Sequence, residues 1–162
     1  MHFTLRPITR ADAEEISRWR YGEPYSMYDG DPASVPSLLK PRFLYHSVYD
    51  ECGELVGYFC FGEDARVTAG RQLGVYEKEP AVDVGLGMKP NLTSQGLGTE
   101  FVLTGLRFAK ENLSPPAFRL TVASSNLRAI RVYERVGFEA VETFGARTPD
   151  GGRDWLLMRR EA

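Results

Sequence analysis

The spacing of apolar residues divides the chain into short alternating elements. Phe3 and Leu5 share one face of a strand predicted over residues 3–8. Thr9 follows as a helix N-cap, with Asp12 at the position where a capping box usually carries Glu or Gln. The helix should run to about Arg20 and turn Ala13, Ile16 and Trp19 inward. Residues 21–41 hold Gly22, Pro24, Gly30, Pro32, Pro36 and Pro41, which predicts loop with a short turn of helix at 35–39. Strands over 43–49 and 55–61 flank the turn Asp50-Glu51-Cys52-Gly53. The second of them is apolar on both faces, as a central strand should be. Residues 63–79 are polar and read as a loop or a distorted strand end.

The second half is more regular. A strand over 81–88 precedes a helix from Gly96 to about Asn112. In that helix Val102, Leu106, Ala109 and Leu113 form the apolar stripe, and Glu100, Thr104, Arg107 and Glu111 the polar one. Pro115-Pro116 stops it. A strand over 118–122 and a helix over 126–136 follow, with Gly137 as the natural left-handed closing residue. Strands over 138–144 and 155–159 flank the turn Pro149-Asp150-Gly151-Gly152. Strands and helices in this order predict one mixed α/β sheet, and 162 residues suit a single domain spanning 1–162.

Composition narrows the function classes. Twenty Lys and Arg against 22 Asp and Glu leave a formal net charge of −2, which argues against a basic nucleic-acid-binding surface and a polybasic membrane anchor. No apolar run reaches the ~20 residues that span a bilayer, and the N-terminus lacks a signal-peptide pattern. Cys52 and Cys60 form no C-x-x-C pair, and His2 and His46 have no metal-ligand spacing, so no metal is expected. A reduced, cytoplasmic protein is the expectation.

The informative segment runs from Asp83 to Thr99. A strand ends, a polar loop turns, and Gly96 and Gly98 open a helix. Unpartnered N–H groups and the helix dipole make such a helix start an anion site suited to a pyrophosphate, and Ser94 and Thr99 offer hydroxyl donors. A Walker A loop requires a Lys that neither glycine has. A dinucleotide fingerprint would require glycine where Phe101 or Pro90 stands. By itself the segment reads equally well as a glycine-rich loop capping a packed helix.

The segment 126–138 reads Asn126, Ala129, Tyr133, Gly137 and Phe138 in the pattern Asn-x-x-Ala-x-x-x-Tyr-x-x-x-Gly-Phe. With the Gly96-x-Gly98 helix start before it, the chain resembles the GNAT superfamily of acyl-CoA-dependent N-acetyltransferases. One position departs: Thr93 stands where that family carries Gln or Arg, and Gln95 lies two residues on. The resemblance implies a mixed, mostly antiparallel six- to seven-stranded sheet flanked by helices, with acetyl-CoA as co-substrate. It implies that Leu86 and Met88 pair their backbone with the pantetheine arm, and that Ser94, Gln95, Gly96, Leu97, Gly98 and Thr99 hold the pyrophosphate. Asn126 would bond the arm near the thioester, in a slot between the 81–88 and 118–122 strands. Homodimers are common in that family.

The implied reaction is direct attack of a primary amine of a small molecule or peptide on the thioester. An amine of pKa about 8 to 10.4 is mostly protonated at pH 7, so a proton must leave. The resemblance makes Tyr133 the general acid for the departing thiolate; by spacing alone it is a core tyrosine. Asp83 interrupts the apolar alternation of its strand and reads either as the base or as an ion pair with Arg119 or Arg6. Glu63 and Asp64 are weaker base candidates. Cys60 has no His partner, so no acetyl-cysteine is expected. Enzymes that acetylate a ribosomal N-terminal alanine carry Glu where Thr121 stands. Trp19, Tyr21, Glu23, Tyr25 and Tyr28 make an unusually aromatic loop, which reads as acceptor contacts or as a roof on the core, with Glu23 or Asp29 able to attract an ammonium. The competing class is an acyl-CoA-binding regulatory domain without catalysis.

Overall fold

A computed structural model describes residues 1–145 and 152–162. Among them, seven strands and five α-helices follow in the order β1 (Thr4–Pro7), α1 (Arg10–Ser17), α2 (Val35–Leu38), β2 (His46–Tyr49), β3 (Leu55–Phe61), α3 (Thr68–Leu73), β4 (Val82–Met88), α4 (Gly98–Leu113), β5 (Ala117–Ala123), α5 (Leu127–Arg135), β6 (Glu139–Gly145) and β7 (Asp154–Glu161). One sheet joins the strands in the order β1-β2-β3-β4-β5-β7-β6. Every neighbouring pair is antiparallel except β4 and β5. The mixed, mostly antiparallel sheet expected from the sequence is therefore present, with seven strands.

Local signals explain most boundaries. The Thr9 hydroxyl accepts the Asp12 N–H at 3.1 Å and starts α1. Asp12 does not complete a capping box; its carboxylate accepts the Tyr49 hydroxyl instead. Helix α1 stops at Ser17, earlier than its apolar spacing suggests, because the chain folds back and the Gly30 N–H donates to the Trp19 carbonyl at 2.9 Å. The strand expected from residue 43 begins at His46, since Phe43 closes a 3-10 turn and Leu44 is left-handed at φ 53°. The segment read as polar loop carries α3 after a 3-10 turn at Glu63–Ala65. That helix shows no apolar stripe because Gly70 is its contact residue, packed under the Tyr76 and Phe144 rings. Most of the turn expected at 149–152 lies outside the described residues.

β3 is covered on both faces. Phe59 and Phe61 stack against Phe101 and Phe108 of α4, with Phe59 and Phe101 centroids 4.9 Å apart. On the other face Tyr58 meets Trp19 and Tyr45. α4 approaches this closely because Gly105 has no side chain: a Cβ there would lie 2.2 Å from the Phe59 ring.

Gly105→Ala should therefore destabilise the protein, although alanine is the better helix former. Overpacking a closed core costs about 1–3 kcal/mol, and the melting temperature should fall by several degrees. A melting temperature at or above that of the parent would show that the α4–sheet spacing is not set by this contact.

Candidate active site

β4 and β5 pair only through Val82–Phe118 and Asp83–Arg119, and β4 continues to Met88 without β5 beside it. Hydrogen bonding to β3 fixes which way each β4 residue faces. The Lys89 N–H donates to the Val56 carbonyl at 2.8 Å, and the Gly62 N–H to the Asp83 carbonyl at 2.8 Å. Odd-numbered residues thus turn their main chain to β3, and Val84, Leu86 and Met88 turn theirs into the gap. The gap is a slot walled by main-chain donors and acceptors that no strand satisfies, the arrangement an amide-bearing arm would complete. Leu86 and Met88, expected from the resemblance to face such an arm, are among the β4 residues whose main chain turns into the gap.

The loop between β4 and α4 closes one end of the slot. Gly96 has φ 76° with nothing within reach of a Cβ, a left-handed conformation that suits glycine. Gly98 serves packing instead, since a Cβ there would lie 3.0 Å from Val132 of α5. α4 has no side-chain N-cap, so its first N–H groups face outward without a side-chain partner. Ser94, at φ 62°, accepts the Arg128 guanidinium at 2.8 Å. Gln95 donates to the Asn91 carbonyl and Thr93 to the Pro90 carbonyl, so both brace the loop. Leu97 packs on the core, and Thr99 lies in the first turn of α4. This geometry fits the phosphates and arm of coenzyme A.

Asn126 is buried at the head of α5. Its Oδ1 accepts the Ala129 N–H at 3.2 Å, and its Nδ2 donates to the Tyr28 hydroxyl at 3.1 Å. Tyr133, two turns along α5, packs against the core edge-on to Phe138, and its hydroxyl has no hydrogen-bond partner among the described residues. Burial, and then the neighbouring Tyr28, push its pKa above the ordinary tyrosine value. The phenol keeps its proton at neutral pH, as an acid must.

Asp83 requires a correction. Its Oδ1 accepts Arg119 Nε at 2.6 Å, and its Oδ2 accepts Arg119 Nη2 at 2.9 Å and Arg66 Nε at 2.8 Å. Asp83 and Arg119 are each 2% exposed, and the Tyr76 ring lies 5.3 Å from both guanidinium groups. Burial works to lower the Arg119 pKa, but the bonds and charge of Asp83 outweigh it and hold the value above the ordinary one. A carboxylate committed to two cations and sealed beneath residues 66–76 has no access to an amine. The ion-pair alternative with Arg119 is the one present. The sequence left it level with the base role because the covering Arg66 and Tyr76 come from a segment without apolar periodicity.

On this same face of the sheet lies a cavity of about 240 Å³, bounded by Trp19, Tyr21, Tyr28, Tyr45 and Tyr58 and by the carboxylates of Asp29, Asp31 and Asp64. Among the described residues no Lys or Arg lines it. The 21–29 loop ties the cavity to the slot. The Tyr21 hydroxyl donates to the Met88 carbonyl at 2.6 Å, Tyr28 meets Asn126, and Arg128 stands 4.0 Å over the Tyr25 ring. Burial, with Asp29 adding to it, pushes the Tyr21 pKa up to about 12. Of the loop residues expected at the acceptor, Trp19, Tyr21 and Tyr28 line the cavity; Glu23 and Tyr25 do not. Glu23 is exposed and accepts the Ser26 hydroxyl. Tyr58, Tyr45 and Asp31 were not singled out, because nothing in their spacing relates β2 and β3 to the loop. Thr121 bonds the Tyr76 hydroxyl at 2.7 Å and helps close the cover over Asp83.

Residues 2–139 match the Acetyltransferase (GNAT) domain, and the chain belongs to that family as an acetyl-CoA-dependent N-acetyltransferase. It is 28% identical to the aminoglycoside N(6')-acetyltransferase type 1 of Klebsiella pneumoniae over 98% of this chain and 84% of that protein. Among solved structures, the aminoglycoside acetyltransferase AAC(6')-Ib in complex with coenzyme A superposes with a TM-score of 0.70 at 23% identity, covering 99% of this chain and 95% of that one. A spermidine N-acetyltransferase chimera from Vibrio cholerae SpeG and hSSAT gives 0.73 at 17% identity, covering 98% and 95%. Among the described residues no helix is long and apolar enough to cross a membrane.

Asp83→Asn should act on stability. Removing one partner of a buried ion pair costs about 3–5 kcal/mol, so the melting temperature should drop sharply while the pH–rate profile keeps its shape. An unchanged melting temperature with a changed pH profile would return Asp83 to the role of base.

Proposed function

We propose that the protein transfers the acetyl group of acetyl-CoA directly to a primary amine of a small cationic molecule, with Tyr133 as general acid. The single observation that carries this reading is the junction of the slot with the cavity. Leu86 and Met88 present main-chain groups that no strand pairs on one side, the Met88 carbonyl meeting only the Tyr21 hydroxyl, and the carboxylate-bearing aromatic cavity opens on the other. Gly96, Leu97, Gly98 and Thr99 would receive the pyrophosphate, with Ser94 and Gln95 shaping the loop. Leu86, Met88 and Asn126 would hold the arm, and Trp19, Tyr21 and Tyr28 would contact the acceptor. Aromatic faces and carboxylates together attract ammonium groups.

The reaction joins the amine nitrogen to the acetyl carbon and releases the sulfur, which takes its proton from the Tyr133 hydroxyl. Direct transfer fits Cys60, whose thiol is pushed up to about 12 by burial and stays neutral. The names of the curated relatives, aminoglycoside N(6')-acetyltransferases, support a polycationic small-molecule acceptor. Two free cysteines, Cys52 exposed and Cys60 buried, suit a reducing cytoplasm.

The test is thiol release from acetyl-CoA with kanamycin, spermidine and an alanyl peptide as acceptors. Turnover is expected with the first two. Coenzyme A binding without turnover of any amine would instead indicate a regulatory acyl-CoA-binding domain. Tyr133→Phe should lower kcat by about 10²–10⁴. The sign of the Tyr133 shift also sets a pH expectation: with its pKa raised above 10, the acid stays protonated through the range where an ordinary tyrosine ionises, so no activity should be lost to Tyr133 ionisation up to about pH 10.

A further inference from the structure

With Asp83 sealed away, the three carboxylates of the cavity differ in what holds them. Asp29 Oδ1 accepts the Tyr21 N–H at 2.6 Å, which closes the loop. Asp31 Oδ1 accepts the Ala33 N–H at 2.9 Å and caps a 3-10 turn. Asp64 supports no backbone. Its one hydrogen bond comes from the hydroxyl of Tyr45, itself a wall of the cavity.

Asp64 also sits beside the strand that walls the slot. Its neighbour Ala65 packs on β4 at Gly85, where a Cβ would lie 3.3 Å from Ala65 and 2.6 Å from Cys60 Sγ. One step along β4, Gly87 lies under the Tyr58 ring, so a Cβ there would be 2.8 Å from the Tyr58 hydroxyl. Two glycines thus bring the turn of Asp64 and the ring of Tyr58 against the β4 backbone beside Leu86. The polar groups facing Asp64 are neutral. Burial raises the pKa values of Tyr45, Tyr58 and Cys60, and the guanidinium of Arg66 is spent on Asp83. Glu63 points to Arg42 at the surface, and Asp29 and Asp31 are the other charges on the cavity wall. The indole N–H of Trp19, also a cavity wall, is buried without a partner among the described residues, so the cavity holds an unmet donor as well.

We propose that Asp64 binds the acceptor ammonium and takes the proton that the amine nitrogen sheds on acetylation. The assignment rests on the amine-acetylation reading of the same site. The amine is held as an ammonium and first gives one proton to solvent. Its lone pair then forms the C–N bond, the proton released from nitrogen passes to the Asp64 carboxylate, the C–S bond breaks, and the sulfur takes the Tyr133 proton. Asp64 returns its proton through water to the Tyr133 phenolate, which restores both groups. Tyr45 is a positioning residue that orients the carboxylate.

The test follows thiol release with kanamycin and spermidine across pH 6–10 for the parent, Asp64→Asn and Asp64→Glu. Asn keeps an oxygen for the Tyr45 hydroxyl, so melting temperature and coenzyme A affinity should hold. The Asp64→Asn kcat should fall about 10²–10⁴-fold at pH 7. Both enzymes should gain rate as the free amine accumulates, but the Asp64→Asn rate should climb more steeply with pH than the parent's, because hydroxide must then take the proton that Asp64 takes in the parent. Asp64→Glu should regain activity over Asp64→Asn. An Asp64→Asn enzyme with the parental kcat and pH profile overturns the assignment alone. A loss of rate that Asp64→Glu does not relieve, with an unchanged pH profile, also overturns it. A parent that binds coenzyme A but acetylates neither amine overturns the acetylation reading, and the role of Asp64 falls with it.

Discussion

The pairing of β4 with β5 ends at Asp83 and Arg119, and the site depends on where that pairing stops. A bidentate ion pair crosses the two parallel strands at their last shared position, with Arg66 as a third partner. Beyond it the strands separate. A sheet normally satisfies every interior main-chain group, so an unpaired stretch at its centre is costly unless something fills it. Here the Tyr21 hydroxyl takes the Met88 carbonyl, and the acyl-CoA arm is what the remaining groups suit. The buried pair is a weak source of net stability, since desolvation offsets most of its attraction. Its geometric consequence, a fixed point from which two strands open, matters more.

Glycine decides how near the other elements come to that opening. Gly105 lets α4 settle on Phe59, and Gly98 lets α5 settle on the start of α4 through Val132. Gly85 and Gly87 do the same from the opposite face, bringing Cys60, Ala65 and Tyr58 against the β4 backbone. A side chain at any of these places would push a whole element outward. Electrostatics complements this packing. Burial raises the pKa values of Tyr21, Tyr45, Tyr58 and Tyr133, and of these hydroxyls Tyr21 donates to the Met88 carbonyl and Tyr45 to Asp64. Among the described residues, the formally charged side chains lining the cavity are three aspartates. The net charge of −2 says nothing of this; the sign is local to one concave surface.

Apolar patterning was enough to place β3, β4, α4 and β5 to within a few residues, β3 as a continuous apolar run and α4 by its apolar stripe, while the closing Gly137 marked the end of α5. Patterning failed for α3, which buries a glycine and whose neighbours Arg66 and Tyr76 do their work in a polar cluster. The same failure accounts for Asp83. An acidic residue in an apolar strand must be paired, solvated or chemically active, and only the cover over it distinguishes these. The motif residues Gly96, Gly98, Asn126 and Tyr133 were legible because their spacing is local, each set lying within a strand-turn-helix unit.

By itself, the sequence determined the order of the strands and of the helices other than α3, from periodicity, capping and turn chemistry over short separations, and the family, from two locally spaced motifs. The tertiary structure alone decided which carboxylate is locked and which are open, and which aromatic rings meet. Those outcomes depend on contacts between residues far apart in the chain: Asp83 with Arg119, Tyr21 with Met88, Tyr28 with Asn126 and Tyr45 with Asp64. No local pattern encodes such a contact, because it forms only when the sheet order brings two distant segments to the same face.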